Sequence, residues 1–237
     1  MTPLLDLKGI VKTFPSVRAL DGIDFTLLPG EVHVLLGQNG AGKSTLMKIL
    51  GGIQSHDGGT LAIQGQTIAT VTPEVAAANG IALVHQELCL VPSLSIAENI
   101  LLGRMPRRAG GMIDWPKAER IASDTLGRLG VALDPRRPVG TLEVAGQQIV
   151  EIAKALARDP RIILFDEPTS ALSDSERGHL FRLIAALKAQ GVGIIYISHH
   201  LAEVPLIGDR VTVLRDGRVA AHLTAEGRTE RLRDDLR

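Results

Sequence analysis

The run GQNGAGKS at residues 37–44 sets Gly37, Gly42, Lys43 and Ser44 in the pattern G-x-x-x-x-G-K-[ST]. Those residue types at that spacing suit a phosphate chain. Glycines at 37, 40 and 42 let successive backbone N–H groups turn inward, and a helix starting there adds its partial positive charge to the anion nest. Lys43 is placed to reach the terminal phosphates, and Ser44 to offer its hydroxyl to Mg²⁺. The whole run Gly37, Gln38, Asn39, Gly40, Ala41, Gly42, Lys43, Ser44 and Thr45 is therefore the candidate nucleotide-binding segment. A chance match in a chain of this length is on the order of one in a hundred, before a flanking strand and helix are required.

A second stretch, RIILFDEPTSAL at 161–172, ends an apolar run in Asp166 and Glu167. Ligands of open α/β sheets bind at the carboxyl ends of strands, so this carboxylate pair belongs near the same phosphates. Asp166 suits Mg²⁺, and Glu167 suits the polarisation of an attacking water. Alone, an Asp-Glu pair after a strand is more often a solvated loop; the phosphate loop is what gives it a role. A third stretch, YISHHLAEV at 196–204, closes another apolar run with Ser198, His199 and His200. A histidine there can bond a γ-phosphate and orient water, and the sequence alone does not separate His199 from His200.

These residues need a scaffold that brings several strand ends together. Short β-branched runs recur at 31–36, 80–85, 161–166, 193–198 and 210–217, and the near-continuous apolar ones suit strands buried on both faces of a parallel sheet. Helical spacing lies between them: Ile149, Ile152, Ala153 and Leu156 fall at i, i+3, i+4 and i+7, as do Leu180, Leu183, Ile184 and Leu187. Ser173 followed by Glu176 predicts a capping box for the second helix. Alternating strands and helices predict an α/β core with right-handed crossovers. The turn-rich stretch 51–68 reads as antiparallel strands beside it, residues 87–158 as a helical insertion with a loop at 104–112, and residues 221–237 as a charged, solvated tail.

Lys+Arg and Asp+Glu are equal in number, 26 each, so no global charge steers the chain towards nucleic acid or an anionic membrane surface. One cysteine, Cys89, rules out an internal disulfide and suits a reducing compartment. The N-terminal run carries Asp6 and Lys8 among its apolar residues and does not read as a signal peptide. No charge-free apolar stretch approaches the roughly 18 residues that span a bilayer. The expectation is a cytoplasmic protein, with any membrane association going through a partner.

With these motifs in this order, residues 4–220 resemble an ATP-binding cassette, the ATPase subunit of ABC transporters. The resemblance implies a P-loop ATPase with a RecA-like, mostly parallel sheet, a small antiparallel β subdomain and a helical subdomain, binding ATP and Mg²⁺. It implies that Phe14 stacks on adenine, where the residues alone would equally allow a core phenylalanine. Gln86, otherwise an ordinary surface glutamine, would sense Mg²⁺ and the attacking water and face the membrane subunits. Glu167 would be the catalytic base, His199 the switch histidine, and Ser173 would stand in the D-loop where many cassettes have Asp. The wording VHQELCLVPSLSIAENILLGR, QQIVEIAKAL and YISHHLAEV is most similar to the sugar-import branch, whose ATPase commonly carries two cassettes in one chain. This sequence resembles the first of them and stops about where the second would begin, as a stand-alone half, a fragment or a shortened product would. Implied partners are a second cassette (homodimeric or heterologous), transmembrane permease subunits and, indirectly, an extracytoplasmic sugar-binding protein, with no nucleic acid.

One segment departs from the family pattern. Its signature begins Leu-Ser and holds the γ-phosphate of ATP bound to the partner's phosphate loop; the matching residues here are Leu142, Glu143, Val144, Ala145 and Gly146. A carboxylate 4 Å from a phosphate charge is repelled by about 4 kcal/mol at an effective dielectric of 20, before screening. Glu143 could also cap the helix that follows and occupy its donors, and as a first-turn residue it leaves folding untroubled. Two further readings stay open beside the importer ATPase: a nucleotide-binding half-cassette impaired in hydrolysis, and a soluble cassette ATPase acting on nucleic acid or ribosomes. Chains of the second kind usually carry long coiled-coil insertions or tandem cassettes with basic linkers, and neither appears in this charge-balanced sequence.

Overall fold

The computed structural model describes residues 2–84, 88–169 and 172–224. Gln86 and the end of the charged tail lie outside the described residues. In chain order the strands are β1 (Leu5–Phe14), β2 (Val17–Leu27), β3 (Val32–Leu36), β4 (Gly58–Ile63), β5 (Gln66–Thr67), β6 (Ile81–Val84), β7 (Ile162–Asp166), β8 (Gly193–Ile197), β9 (Arg210–Arg215) and β10 (Arg218–Thr224). The helices are α1 (Lys43–Leu50), α2 (Pro73–Ala78), α3 (Ile96–Ile100), α4 (Trp115–Arg128), α5 (Val144–Leu156), α6 (Asp174–Ala189) and α7 (Val204–Ile207). The chain divides into two units, one of residues 1–83, 161–167 and 179–237, the other of 84–160 and 168–178.

The first unit carries two sheets. The larger has the order β10-β9-β3-β8-β7-β6, with β3 parallel to both β8 and β9, and β7 parallel to β8. Every residue of β3 and β8 is buried, as expected for strands covered on both faces. The smaller sheet, β2-β1-β4-β5, is antiparallel throughout. Its β4 and β5 are the strands that the turn-rich stretch predicts. The long β1–β2 hairpin has no counterpart in the sequence reading, because register shifts at Leu7/Ile10, Ile10/Val11 and Lys12/Thr13 break the two-residue alternation that marks a strand. Leu5, Leu7, Ile23, Leu27, Leu46, Ile49, Leu164, Ile195 and Ile197 share one buried cluster that joins both sheets to α1.

Strand β10 runs to Thr224, four residues into the segment that the charge pattern assigns to a tail, and pairs antiparallel with β9. A hairpin partner supplies the backbone bonds that this charged stretch does not advertise through its side chains.

The second unit is helical, as its lack of strand signals predicts. Ser95 and Glu98 form a full capping box on α3. Asn99, fully buried, accepts from Val91 N at 2.8 Å and donates to the carbonyls of Val91, Leu94 and Ser95, fixing the turn ahead of the helix. The Arg104 guanidinium donates to Ala157 O at 2.6 Å, satisfying an otherwise orphaned carbonyl at the end of α5. At the start of α6, Glu176 accepts from both the backbone N and the hydroxyl of Ser173 at 2.7 Å, so the expected box forms through its glutamate arm. Among the described residues no helix is long and apolar enough to cross a membrane.

Candidate functional site

Strand β3 delivers the chain from the buried sheet directly into the glycine-rich loop, and α1 begins at Lys43. Gly42 is the N-cap of α1, and no side chain caps that helix, so its first N–H groups stay available to a ligand. Two glycines are dictated by geometry. At Gly37 (φ +154°) a Cβ would lie 2.4 Å from Leu214 O, and at Gly42 (φ +105°) one would lie 2.6 Å from Ala19 O. The loop is tied further by Ala41 N to Gln38 O at 3.1 Å and Gly217 N to Ala41 O at 3.3 Å. Gln38, Asn39, Gly40 and Ala41 line a cleft of about 230 Å³ with Leu214, Arg215 and Asp216.

Lys43 is buried, and its Nζ donates to Gly37 O at 2.7 Å and Gln38 O at 3.1 Å. The ammonium thus sits inside the loop, held by the loop's own carbonyls. Burial pushes its pKa below the usual lysine range, against the opposing pull of Glu167 and then Asp166. Ser44 is exposed and Thr45 half-buried at the head of α1. Their hydroxyls and the Asp166 carboxylate are hard oxygen donors of the kind Mg²⁺ takes alongside phosphate oxygens and water.

Asp166 ends β7 in register with Ile197 of β8. One residue on, Glu167 adopts a left-handed backbone, φ +47°, while its N–H donates to Ile197 O at 3.2 Å. That conformation is strained for a residue with a Cβ. It turns the carboxylate out of the strand, where Oε2 lies 3.1 Å from Nδ1 of His199. The two histidines are thereby separated: His199 is the one at Glu167, while His200 lies beside it with ring centroids 4.0 Å apart. Lys43, Asp166, Glu167 and His199 all belong to the first unit.

Phe14 stands at the tip of the β1–β2 hairpin, paired with Val17 and half-exposed, so it is no core phenylalanine. Lys12 Nζ lies 5.8 Å from its ring centroid, and the same ammonium pairs with Asp57 Oδ1 at 2.7 Å. In the second unit, Glu143 is the N-cap of α5 and is exposed, but its side chain makes no cap hydrogen bond. This corrects the expectation that Glu143 occupies the helix donors: with φ −64° and ψ 162° it has cap backbone geometry without the side-chain bond. Leu142 is buried, Val144 exposed, and Ala145 and Gly146 half-buried. Gln86 lies outside the described residues.

Sequence reasoning passed over one buried group next to this site. Glu203, 4% exposed, accepts from Ser198 Oγ at 2.7 Å and from Tyr196 OH at 3.1 Å. Its signal was the carboxylate four residues after His199 in SHHLAEV, which reads as a solvated helix residue when burial is unknown.

A glycine-rich loop between a central parallel strand and a helix, with carboxylates at the end of a parallel strand one position further across the sheet, defines a P-loop α/β nucleotide-binding fold. The chain belongs to the ABC transporter family, whose profile matches residues 20–170. It is 54% identical over 234 residues to the ribose import ATP-binding protein RbsA 1 of Rubrobacter xylanophilus, covering 98% of this chain and 47% of that protein. It is 53% identical over 219 residues to the ribose import ATP-binding protein RbsA 2 of Burkholderia pseudomallei, covering 91% of this chain and 42% of that one. The chain spans about half the length of the curated relatives it matches. Among solved structures it is similar to the ADP conformation of MJ1267, an ATP-binding cassette of an ABC transporter, with a TM-score of 0.84, 26% identity, and 96% and 93% of the two chains covered.

Proposed function

We propose that this chain binds and hydrolyses Mg-ATP and that the cycle energises an importer of a simple sugar. The observation that carries the catalytic half is the convergence of Lys43, Glu167 and His199, with Glu167 and His199 in contact at 3.1 Å. In this reading the loop N–H groups and the α1 N-terminus bind the phosphates, and Lys43 exchanges its two carbonyl partners for phosphate oxygens. Ser44 and Asp166, with Gln86, would hold Mg²⁺, which neutralises charge on the transferring phosphoryl group. Glu167 would accept a proton from the attacking water, and His199 would fix the direction of that carboxylate and meet the γ-phosphate. Phe14, half-exposed at the hairpin tip, would stack on adenine.

The names of the relatives support the import half. A sugar would be recognised by permease and extracytoplasmic binding-protein partners, with the chain at the cytoplasmic face of the membrane and paired with a second cassette. Balanced charge gives no support to a nucleic-acid partner.

A second reading, a cassette impaired in hydrolysis, is favoured by Glu143. An exposed carboxylate at the α5 N-cap that leaves the helix donors free would meet a partner's γ-phosphate with repulsion rather than a hydroxyl.

Steady-state phosphate release by the purified chain, beside Glu167→Gln and Glu143→Ser, tests both. Turnover in wild type that Glu167→Gln abolishes supports the ATPase. A rate raised well above wild type by Glu143→Ser identifies the signature as the lesion, whereas equal rates show Glu143 to be harmless. Turnover surviving Glu167→Gln overturns the site.

A further inference from the structure

We propose that Glu203 is a positioning residue for His199, holding the turn that presents the imidazole to Glu167; this rests on the ATPase reading above. The chain from Ser198 to Glu203 closes on itself. Ser198 Oγ donates to Glu203 Oε2 at 2.7 Å, and with its proton committed there its lone pairs accept from His200 N at 2.9 Å. Glu203 N in turn donates to His200 O at 3.1 Å. Both backbone polar groups of His200 are thus tied, the N–H through Ser198 Oγ to the Glu203 side chain and the C=O to the Glu203 backbone. His199 lies between two fixed residues, with the His200 ring beside its own and its Nδ1 aimed at Glu167.

The chemistry of Glu203 makes a purely structural explanation weak. It is 4% exposed, and among the described residues two hydroxyl donors reach Oε2 and no hydrogen bond reaches Oε1. A buried carboxylate so sparsely paired destabilises a fold relative to an apolar residue of the same size. What it contributes is direction: a carboxylate accepts only, so it forces the Ser198 hydroxyl to donate to it and to accept from His200. A free serine hydroxyl could rotate to donate to a carbonyl, and the His199 turn would lose its anchor.

The test uses the full nucleotide-free chain, with the imidazole Cε1–H resonances read by NMR and that of His199 assigned by its loss in His199→Ala. Ser198→Ala and Glu203→Leu are expected to shift or broaden the His199 signal while leaving that of His33 in place; Tyr196→Phe, which spares the Ser198 link, leaves His199 unmoved. In turnover assays Ser198→Ala and Glu203→Leu lower kcat about 10- to 100-fold with KM for ATP unchanged. In the His199→Ala background Glu203→Leu lowers kcat no further. A His199 resonance unmoved by both variants, or losses that multiply with His199→Ala, overturns the proposal. Ser198→Ala alone decides it if Glu203→Leu does not fold. Failure of the hydrolytic reading shows separately, as turnover that survives Glu167→Gln while the NMR outcome still stands.

Discussion

His199 Nδ1 and Glu167 Oε2 lie 3.1 Å apart, although the two residues follow the ends of neighbouring strands and are far apart in the chain. The side chain of Glu167 is 16% exposed and that of His199 48%, so the carboxylate is sheltered and the imidazole faces outward. This division suits a base that must stay oriented and a partner that must meet the substrate.

From that contact, His199→Ala is expected to lower kcat by about 10²-fold while leaving ATP affinity within a few-fold of wild type. Phosphate release and equilibrium titration with a fluorescent ATP analogue separate the two effects. A proportional loss in both would assign His199 to uniform binding rather than to the reaction.

Lys43→Met removes an ammonium that already sits among the loop carbonyls. Hydrogen bonds from a charged donor contribute about 1.5–3 kcal/mol each, so ATP affinity should fall roughly 10- to 100-fold. The rise in melting temperature on adding a fixed concentration of Mg-ATP should shrink accordingly. Melting of the nucleotide-free variant is the control; retention of the full ATP-induced rise would exclude Lys43 as a phosphate ligand.

Gly42→Ala places a Cβ 2.6 Å from Ala19 O at a φ of +105°. Backbone strain of this kind is worth about 1–3 kcal/mol before the clash is counted. Urea unfolding should report a loss of at least that size, and an unchanged midpoint would mean that the loop relaxes without penalty.

Acid sensitivity should trace in part to His33. The imidazole is 1% exposed, with Nδ1 against Thr26 O at 2.9 Å and Nε2 against the Thr212 hydroxyl at 2.7 Å; burial, with Arg210 and His222 nearby, lowers its pKa to about 3. Glu31 Oε1 lies 3.9 Å away. Because the folded pKa lies below the unfolded value of 6.5, the unfolded chain binds the proton first, and stability is lost as pH falls from 6.5 towards 3. The limiting slope is about 1.4 kcal/mol per pH unit. Urea midpoints from pH 7.5 to 5 should fall less steeply in His33→Gln than in wild type, and parallel curves would count against the assignment.

How much of this was legible in the sequence depended on whether a residue's role shows in its spacing. The phosphate loop, Asp166 and Glu167 were readable because their chemistry needs fixed types next to an apolar strand, and both strands form as expected. His199 and His200 could not be told apart, since the distinction is made by the left-handed turn at Glu167, which no pattern announces. The β1–β2 hairpin escaped because its bulges spoil the alternation. Glu203 escaped because a glutamate six residues past a strand reads as solvated until Tyr196 and Ser198 are seen to cover it.

The left-handed backbone at Glu167 bears on what a mutational scan would record. Glycine adopts that conformation without the steric penalty of a Cβ and relieves about 1 kcal/mol, so Glu167→Gly should accumulate in cells at least as well as the parent protein. A scan scored by abundance would then rank glycine among the best residues at 167, while one scored by growth that depends on the proposed import would rank it among the worst. The position at which those two maps disagree most sharply would locate the centre of activity with no nucleotide in hand.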